Sequence, residues 1–531
     1  MQGYKKDNMK KVCISILCVC LSLGASAQRQ LEFDANRGVK SSIGLFDGTK
    51  VSYTAYERLF YVTNVEDSTY QFLNVYVPDG ATQQTPIFLR TYVGGYMASP
   101  AAQPQAGDAT GRALKEGYVV VIPGTRGRNS IQTVYTGRAP KAILDLKAAI
   151  RYLRHFDKEM PGNAERIITD GTSAGGAMSA LMGATGNNPE YADMLKAMGA
   201  ADERDDVFAS VCYCPIIDLE HADMAYEWLY QQTDSRQALD DTHKGYTREL
   251  AAHFPAYVNS LNLRKPDGTP LNAENYLDYI KSEIIRAAQI AKNAGADMPD
   301  SIGFSFSSSA GGIFAAPING GVRPQGMPQG GVQGGMPPMA GRPMRGRMGG
   351  KQVGEYITDL DMQKFLNYVV STQALKGVPA FDSQIEGINS TSGENEEFGD
   401  ETGNSVNFTD FTAQKNAASK REQSQDNLNF AEREQGRTKF NNTVLTKGIN
   451  LKVALMNPMN FIDDPSTTVA PHWYIRHGAR DRDTAFPVPL NFATKLQNAG
   501  KDVNFLLAWN RPHSGDYALD ELFEWIAKVV K

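Results

Sequence analysis

The chain has 531 residues, of which 41% are hydrophobic and 9% aromatic, so it exceeds one simple domain and can bury a large core. Its formal net charge is −5, and because the first eleven residues carry +3, the remainder carries −8. This balance argues against nucleic acid or an anionic membrane as the main partner.

The N-terminus has the pattern of a secretory signal peptide. Lysines precede a short apolar run at residues 12–23, and the small residues Ala25 and Ala27 follow it. We expect cleavage after Ala27, so that residues 1–27 are removed and the protein is exported to the periplasm, the cell surface or the medium. The apolar run is short for a bilayer and no later run is long enough, so no stable membrane span is predicted.

Only two cysteines, Cys212 and Cys214, remain outside the predicted signal peptide. Side chains two residues apart on a strand point to the same face but diverge, which makes a disulfide between them awkward. Two cysteines are also too few for a typical structural zinc site. We predict two buried thiols, and the sequence implies no metal and no organic cofactor.

Short buried strands alternate with helical patterns up to about Asp223. The segment PKAILDLKAAIRYLRHF has Ile143, Leu146, Ile150 and Leu153 at helical spacing. Alternating strands and helices predict an α/β fold with a mostly parallel sheet that helices cover on both faces. The predicted strands of this part are KVSYTAYERLFYV, YQFLNVYVP, PIFLRTYV, YVVVIP, RIITD and FASVCYCPIID.

A long insertion is predicted to split this sheet domain. We predict a first part of the core at residues 28–223, an inserted lid at 224–450 and a second part of the core at 451–531. Within the lid, residues 318–350 are dominated by glycine, proline, methionine and arginine, and we predict that they are disordered. The second part of the core contains the strand HWYI, the helix PVPLNFATKLQNAG, the strand VNFLLAW and the helix ALDELFEWIAKVV.

The segment from Gly171 to Gly175 fits the G-x-S-x-G nucleophile elbow, with Ser173 at its centre. In such an elbow the turn from strand to helix is so tight that the serine is strained, and glycines let the backbones approach. The alternative is that Ser173 is one small residue of a flexible glycine-rich loop. A predicted strand before the segment and a predicted helix after it favour the nucleophile.

A serine nucleophile needs a base and an orienting acid, which follow it in the order acid, then histidine, in this kind of fold. Of seven histidines, only His513 lies in a loop, NRPHSGDY, between the final predicted strand and the last helix. The loop HGARDRDTAF after the penultimate strand offers Asp481 and Asp483, and the tight position just past HGAR favours Asp481. The alternatives are a surface histidine and a solvated loop of arginines and aspartates.

Two backbone N–H groups are expected to form an oxyanion hole. One belongs to the residue after the nucleophile, Ala174. The other is expected in the loop TYVGGYMAS, where Gly95 is the first candidate and Tyr96 the second.

Several segments together resemble the bacterial tannase family of secreted or cell-associated α/β-hydrolases. The resemblance implies an α/β-hydrolase fold with a large lid and a triad of Ser173, Asp481 and His513, the last two 32 residues apart as in the family. The matching segments are DGTSAGGAMSALMG, YCPIIDLEHADMAYEW, LKGVPAFD, NSTSGEN, LMNPMNFI, APHWYIRHGARDRDTAF and RPHSGDY.

The resemblance also implies substrate contacts, because the family holds the three hydroxyls of a galloyl ring with a lysine, a glutamate and an aspartate. The matching residues are Lys376 in LKGVPAFD, Glu394 in TSGEN and Asp483, two residues beyond the triad acid. Phenolic hydroxyls can donate to carboxylates and accept from an ammonium group. The stretch around Glu394 offers three alternative glutamates, Glu386, Glu396 and Glu397.

The resemblance therefore implies a serine esterase that hydrolyses galloyl esters of tannins through an acyl-enzyme and releases gallate. One alternative is a feruloyl or other aromatic carboxylesterase with the same triad. A second is a secreted binding protein with a hydrolase fold that docks through residues 318–350. Three chemical partners in the correct order favour an enzyme over a binding protein.

Overall fold

A computed structural model describes residues 29–307, 356–371, 373–423 and 451–531. The predicted signal peptide and the Gly/Pro/Met-rich segment 318–350 lie outside the described residues. The chain divides into two compact units. Unit 1 comprises Met1–Glu220, Ala380–Tyr474 and Ser514–Lys531, and unit 2 comprises His221–Pro379 and Ile475–His513. The predicted lid, 224–450, has residues in both units and stays a prediction.

Strands and helices alternate through the first part of the chain. The strands are β1 (Val39–Gly44), β2 (Lys50–Phe60), β3 (Phe72–Pro78), β4 (Pro86–Arg90), β5 (Val119–Pro123), β6 (Asn163–Thr172), β7 (Ala209–Tyr213), β8 (Phe304–Ser307), β9 (Tyr356–Leu360), β10 (His472–Gly478) and β11 (Asp502–Ala508). The helices are α1 (Ala109–Lys115), α2 (Lys141–His155), α3 (Ala174–Ala184), α4 (Ala192–Ala197), α5 (Leu219–Tyr230), α6 (Asp234–Gln237), α7 (Asp241–Ser260), α8 (Tyr276–Asn293), α9 (Met362–Val370), α10 (Gly393–Glu397), α11 (Asp410–Gln423), α12 (Pro487–Asn498) and α13 (Leu519–Val529).

Unit 1 is built on a mixed sheet. Its strand order is β1-β2-β3-β5-β4-β6-β7, and the first residues of β10 follow β7 in this order. Strands β1, β2, β3 and β5 pair antiparallel in succession, whereas β5, β4, β6 and β7 pair parallel. The predicted α/β fold is confirmed, and its parallel part is the centre of the sheet, where the elbow strand β6 lies between β4 and β7.

Burial explains why these segments form a core. Every residue of β5 is buried, as expected for a strand covered on both faces. In α2 the predicted apolar positions Ile143, Leu146, Ile150 and Leu153 are all buried. The spacing predicted the helix, but 12 of its 15 residues are buried, so it packs inward on more than one face.

Unit 2 is mainly helical. Strands β8 and β9 form a two-stranded antiparallel sheet, and β11 follows β10 in the strand order. Helix α8 packs on β9 and β11, and α12 packs on β11. The hydroxyl of Tyr276 in α8 donates to Asn491 in α12 at 2.6 Å, so buried polar contacts join these two helices.

Both cysteines of the described chain, Cys212 and Cys214, are buried thiols that form no disulfide, as predicted. Within the described residues, no helix combines the length and the apolar character that crossing a bilayer requires.

Candidate active site

Ser173 occupies the turn between β6 and α3 with a strained backbone. Its φ of 63° and ψ of −125° lie in a region that a serine rarely adopts. A Cβ on Gly171 would collide with the carbonyl oxygen of Gly175, and a Cβ on Gly175 would lie 2.8 Å from the carbonyl oxygen of Val93. The two glycines of the predicted elbow are therefore required by close backbone contact.

Backbone hydrogen bonds hold this turn in place. The N–H of Ser173 donates to Tyr213 on β7 at 2.9 Å, and the N–H of Ala177 donates to the carbonyl of Ser173 at 3.0 Å. Ser173 is half-buried, and the next residue, Ala174, is the first residue of α3. The N–H groups of a first helical turn have no partner within the helix, so that of Ala174 is available to a bound oxyanion.

The loop predicted to supply the second oxyanion donor also has an unusual backbone. Gly95 has φ of +55° and Tyr96 has φ of +57°. A Cβ on Gly95 would meet only open space, so this backbone borders a free volume. Within the described chain, the backbone N–H groups of Gly95 and Tyr96 donate to no other group.

Tyr96 anchors this loop from inside the protein. Its hydroxyl donates to the carbonyl of Ile216 at 2.7 Å, and its side chain is buried. Burial raises the pKa of Tyr96 well above its ordinary value, and the negative charges of Glu394 and Glu397 raise it further. The electrostatic effect of Glu394 on Tyr96 indicates that helix α10 lies near this loop.

The residues that follow His513 contact the nucleophile turn within unit 1. The Cys214 thiol donates to the carbonyl of Ser514 at 3.2 Å. Gly515 packs so closely on the Thr172 side chain that a Cβ would collide with it. Thr172 directly precedes Ser173, so the chain just beyond the predicted base is fixed against the chain just before the predicted nucleophile.

A buried ionic cluster fixes the same segment to the sheet. The Arg90 guanidinium binds both oxygens of Asp516, at 3.1 and 2.7 Å, and also pairs with Asp170 on β6. Burial raises the pKa of Asp170 to about 7, against the opposing effect of Arg90. Arg90 thus ties the segment after His513 to the strand that leads into Ser173.

Asp481 and His513 form a hydrogen-bonded pair in unit 2. The distance between His513 Nδ1 and Asp481 Oδ2 is 2.7 Å, and the Asp481 side chain is fully buried. The other Asp481 oxygen, Oδ1, accepts from the N–H of Asp483 at 2.8 Å. Within the described chain, His513 Nε2 has no hydrogen-bond partner. A histidine whose Nδ1 is held by a carboxylate can act as a general base through its other ring nitrogen.

The electrostatics of this pair favour a charged Asp481. Burial acts to raise the pKa of Asp481, but His477 and His513 together hold it below its ordinary value. Burial acts to lower the pKa of His513, but the hydrogen bond and charge of Asp481 raise it above its ordinary value. The pKa of His477, 3.7 Å from Asp481, is lowered by burial, so His477 is uncharged at neutral pH and His513 is the effective partner.

Two tyrosines of α5, which were not predicted to be part of the site, hold the loop that contains Asp481. The Tyr230 hydroxyl donates to the carbonyl of Asp481 at 3.0 Å. The Tyr226 hydroxyl donates to the carbonyl of Arg482 at 2.6 Å and accepts from the N–H of Lys376 at 3.1 Å. Only the pattern of the segment YCPIIDLEHADMAYEW pointed to this helix.

Lys376 is held from a second side by a buried ion pair. Arg236 pairs with Glu227 at 2.7 Å, and both side chains are buried. The same guanidinium donates to the carbonyl of Lys376 at 3.0 Å. The Lys376 charge acts to lower the pKa of His513, whereas the Asp483 charge acts to raise it. Lys376, Asp483 and the dyad therefore lie close together in unit 2.

Three residues of this group also offer a set of potential metal ligands. One ligand atom each from Asp481, Asp483 and His513 lies within 4.8 Å of the others. However, Asp481 and His513 already bind each other, which is the geometry of an acid and a base rather than of a preformed cation site.

Glu394 lies in α10, a short helix of unit 1 with three glutamates. Its side chain is only 9% exposed, and within the described chain it accepts no hydrogen bond. Glu396 pairs with Arg128, and Glu397 is fully buried, which raises its pKa to about 8. Glu386 lies exposed outside this helix. Of the four glutamates, the side chains of Glu394 and Glu397 are both buried and accept no hydrogen bond within the described chain, but a pKa of about 8 keeps Glu397 mostly protonated at neutral pH.

A polar network around Asp382 holds α10. Asn395 donates to Asp382 at 2.6 Å, and its side chain forms a capping box with Ser392, the N-cap of α10. The other Asp382 oxygen accepts from the backbone N–H groups of Phe408 and Thr409 at 2.9 and 2.8 Å. The segment LKGVPAFD, which contains Lys376, thus also supplies the carboxylate that supports Glu394.

The predicted site residues fall into two groups. Lys376, Asp481, Asp483 and His513 lie together in unit 2. The residues of unit 1 are Ser173, Ala174, Gly95 and Glu394.

Solved structures of tannases are similar to this chain over almost its whole length. A tannase from Fusobacterium nucleatum has a TM-score of 0.75 and 32% identity, and the match covers 94% of this chain and 100% of that one. The native tannin acyl hydrolase from Lactobacillus plantarum has a TM-score of 0.73 and 33% identity, with 94% and 99% covered. A tannin acyl hydrolase in complex with ethyl gallate has a TM-score of 0.74 and 32% identity, with 94% and 99% covered.

A protein-family model described as BD-FAE matches residues 73–259. A search among curated proteins gave no match. The fold, the identity of about one third and the coverage of both chains agree with the family resemblance in the sequence. The chain therefore belongs to the tannase family and is a carboxylic ester hydrolase with an α/β-hydrolase fold.

Proposed function

We propose that this protein hydrolyses galloyl esters, such as those of tannins, through a triad of Ser173, His513 and Asp481. The observation that carries the proposal is the buried Asp481–His513 pair, whose acid also accepts a hydrogen bond from the backbone of Asp483. It is supported by the strained backbone of Ser173 and by the similar tannin acyl hydrolase that was solved with ethyl gallate.

The chemistry follows from the hydrogen-bonded pair. His513 Nε2 takes the proton of the Ser173 hydroxyl as its Oγ attacks the ester carbonyl, and Asp481 stabilises the resulting imidazolium. The tetrahedral intermediate collapses, the bond to the alcohol oxygen breaks, and His513 donates the proton to that oxygen. Water then attacks the acyl-enzyme with His513 again as base, which releases gallate and restores Ser173.

Backbone donors would stabilise the negative oxygen of each tetrahedral intermediate. The N–H of Ala174 is one donor, and the loop at Gly95 and Tyr96 supplies the other. A preorganised donor of this kind contributes about 3 kcal/mol to transition-state stabilisation. The absence of competing partners for these N–H groups in the described chain supports this role.

Three side chains would bind the hydroxyls of the galloyl ring. Lys376 can donate to a phenolic oxygen, and the carboxylates of Glu394 and Asp483 can accept from phenolic hydroxyls. Glu394 is favoured over Glu386 because Glu394 is buried, and over Glu396 because that group is paired with Arg128. It is favoured over Glu397 because a pKa of about 8 leaves Glu397 mostly protonated at neutral pH. A site built on such hydrogen bonds rejects analogues that lack the hydroxyls, because its polar groups would then be buried without partners.

The decisive test compares kcat/KM for methyl gallate, methyl ferulate and methyl benzoate. We expect methyl gallate to exceed methyl benzoate by about 10³-fold or more. A preference for methyl ferulate would instead support the aromatic carboxylesterase and reject the three ring contacts.

The nucleophile is tested separately with a fluorophosphonate probe. We expect labelling at Ser173 in the unmutated protein and none in Ser173→Ala, together with loss of methyl gallate hydrolysis. Unchanged hydrolysis by Ser173→Ala would contradict the mechanism, and absence of labelling in the unmutated protein would favour a binding protein.

We also propose that the protein is exported after cleavage of residues 1–27. The basic start, the short apolar run and the small residues before the site support this. Mass spectrometry of the mature protein should give Gln28 as its first residue, and an intact N-terminus on protein from the cytosol would contradict export.

A further inference from the structure

Arg128 joins the two parts of the site that lie in unit 1, the loop at Gly95 and helix α10. It lies in the connection between β5 and α2, and its side chain is 21% exposed. Its Nε donates to the carbonyl of Gly95 at 2.8 Å. Its Nη1 pairs with the carboxylate of Glu396 in α10. One guanidinium therefore binds both the loop and the helix.

The contact with the oxyanion loop is reinforced by backbone. The N–H of Arg128 donates to the carbonyl of Tyr96 at 2.8 Å. Next to it, a Cβ on Gly127 would lie 2.6 Å from the same carbonyl oxygen. Two successive carbonyls of the loop, those of Gly95 and Tyr96, thus bond to Arg128.

This arrangement fixes the direction of one candidate oxyanion donor. In a planar trans peptide, the carbonyl and the N–H of the same peptide group point in opposite directions. The Gly95 carbonyl points to Arg128, so the N–H of Tyr96 points away from Arg128, and it has no partner in the described chain. The geometry favours Tyr96 over Gly95 as the donor that Arg128 orients.

The contact with α10 is equally close. The guanidinium packs on Gly393, where a Cβ would lie 3.1 Å from Nε. Glu394 follows directly, and its neighbour Glu396 holds the other side of the guanidinium. Because this ion pair is partly solvated, its direct energy is small, and its effect is to fix the position of the helix.

We infer that Arg128 is a positioning residue that couples the oxyanion donor of the Gly95–Tyr96 loop to ring recognition by Glu394. The Glu394 part rests on the proposed function, whereas the oxyanion part requires only that the protein is a serine esterase. A planar fork of donors can bind a carbonyl and a carboxylate at the same time, which the single ammonium group of lysine does less well.

The test uses three variants and two kinds of ester. In Arg128→Gln we expect kcat for p-nitrophenyl acetate to fall about 10- to 100-fold. This loss is smaller than the one caused by deletion of an oxyanion donor. We also expect KM for methyl gallate to rise about 10-fold, a tenfold change being about 1.4 kcal/mol. Arg128→Lys should keep a positive charge near Glu396, but its kcat for p-nitrophenyl acetate should still fall. Glu396→Gln should raise KM for methyl gallate and leave kcat for p-nitrophenyl acetate within about twofold.

Arg112→Gln is the matched control, because Arg112 also pairs with two carboxylates, that of Glu116 just after α1 and that of Asp520 in α13. All variants should melt within a few degrees of one another. The inference is overturned if Arg128→Gln leaves kcat unchanged relative to Arg112→Gln, or if Arg128→Lys restores full kcat. It is also overturned if Glu396→Gln lowers kcat as much as Arg128→Gln does. If the unmutated protein does not prefer methyl gallate, the proposed function fails, and kcat for p-nitrophenyl acetate still decides the role of Arg128.

Discussion

Substitutions of two tyrosines in α5, one helical turn apart, should affect ring recognition and catalysis separately. The Tyr226 hydroxyl joins the N–H of Lys376 to the carbonyl of Arg482, whereas the Tyr230 hydroxyl holds the carbonyl of Asp481. The change of either residue to phenylalanine removes one oxygen and leaves the ring in place. The two variants are therefore controls for each other.

The size of each effect follows from the hydrogen bonds lost. Tyr226→Phe removes two bonds, and at about 1 kcal/mol each the free energy of unfolding should fall by about 2 kcal/mol. Tyr230→Phe removes one bond and should cost about 1 kcal/mol. Without the Tyr226 hydroxyl, the Lys376 ammonium group should bind the ring hydroxyl of methyl gallate less well. A hydrogen bond to a charged group contributes about 1.5–3 kcal/mol, so KM for methyl gallate should rise at least 10-fold in Tyr226→Phe.

The assay measures kcat and KM for methyl gallate and methyl benzoate. Tyr226→Phe should affect methyl benzoate hydrolysis much less than methyl gallate hydrolysis, because methyl benzoate has no ring hydroxyl for Lys376 to bind and Asp481 keeps its bond from Tyr230. Tyr230→Phe should lower kcat for both esters by a similar factor, since its bond holds the acid of the dyad. Equal losses on both esters in Tyr226→Phe, or a gallate-specific loss in Tyr230→Phe, would refute this division of roles.

Three further predictions concern the elbow, the dyad and the support of α10. Gly171→Ala places a Cβ against a backbone carbonyl, so fluorophosphonate labelling of Ser173 should slow by about 100-fold or more, with a lower melting temperature in calorimetry. Activity requires neutral His513, whose pKa is raised by Asp481, so kcat/KM should rise with pH through a midpoint above 6.5. In a pH–rate profile of Asp481→Asn, that midpoint should move to lower pH and the plateau of kcat/KM should fall about 10³- to 10⁴-fold. An unshifted midpoint would argue against the Asp481–His513 pair. Asp382→Asn removes a charged acceptor of two backbone N–H groups and should lower the free energy of unfolding by about 2–4 kcal/mol in urea titration, whereas an unchanged midpoint would contradict its supporting role.

The elements around the nucleophile could be predicted because their signals are local. The apolar run of β5 and the 3.6-residue spacing in α2 are consequences of burial that each segment carries by itself. Gly171 lies where a Cβ would collide with backbone, and this need for glycine is part of the G-x-S-x-G pattern that predicted the turn. The position of His513 between the last strand and the last helix suggested its pairing with Asp481.

The supports of the site could not be predicted in the same way. The hydroxyl of Tyr226 contacts a carbonyl 256 residues away, and no periodicity in the sequence records such a pairing. Strand direction was hidden for the same reason, since the fully buried β3 pairs antiparallel with β5 although its composition also suits a parallel strand. In the sequence, Arg128 has no feature that distinguishes it from other polar loop residues. Only the tertiary structure shows its contacts with Gly95 and Glu396.

The three glutamates of α10 show why residue type alone does not assign a role. The three glutamates lie within four residues, but their surroundings differ. Glu396 is neutralised by Arg128, and Glu397, with its pKa raised to about 8 by burial, is mostly protonated at neutral pH. That leaves Glu394 as the acceptor in the first turn, where the helix N-terminus favours a carboxylate. The environments of the three glutamates therefore favour Glu394 for the proposed contact with a phenolic hydroxyl, although the sequence offers all three equally.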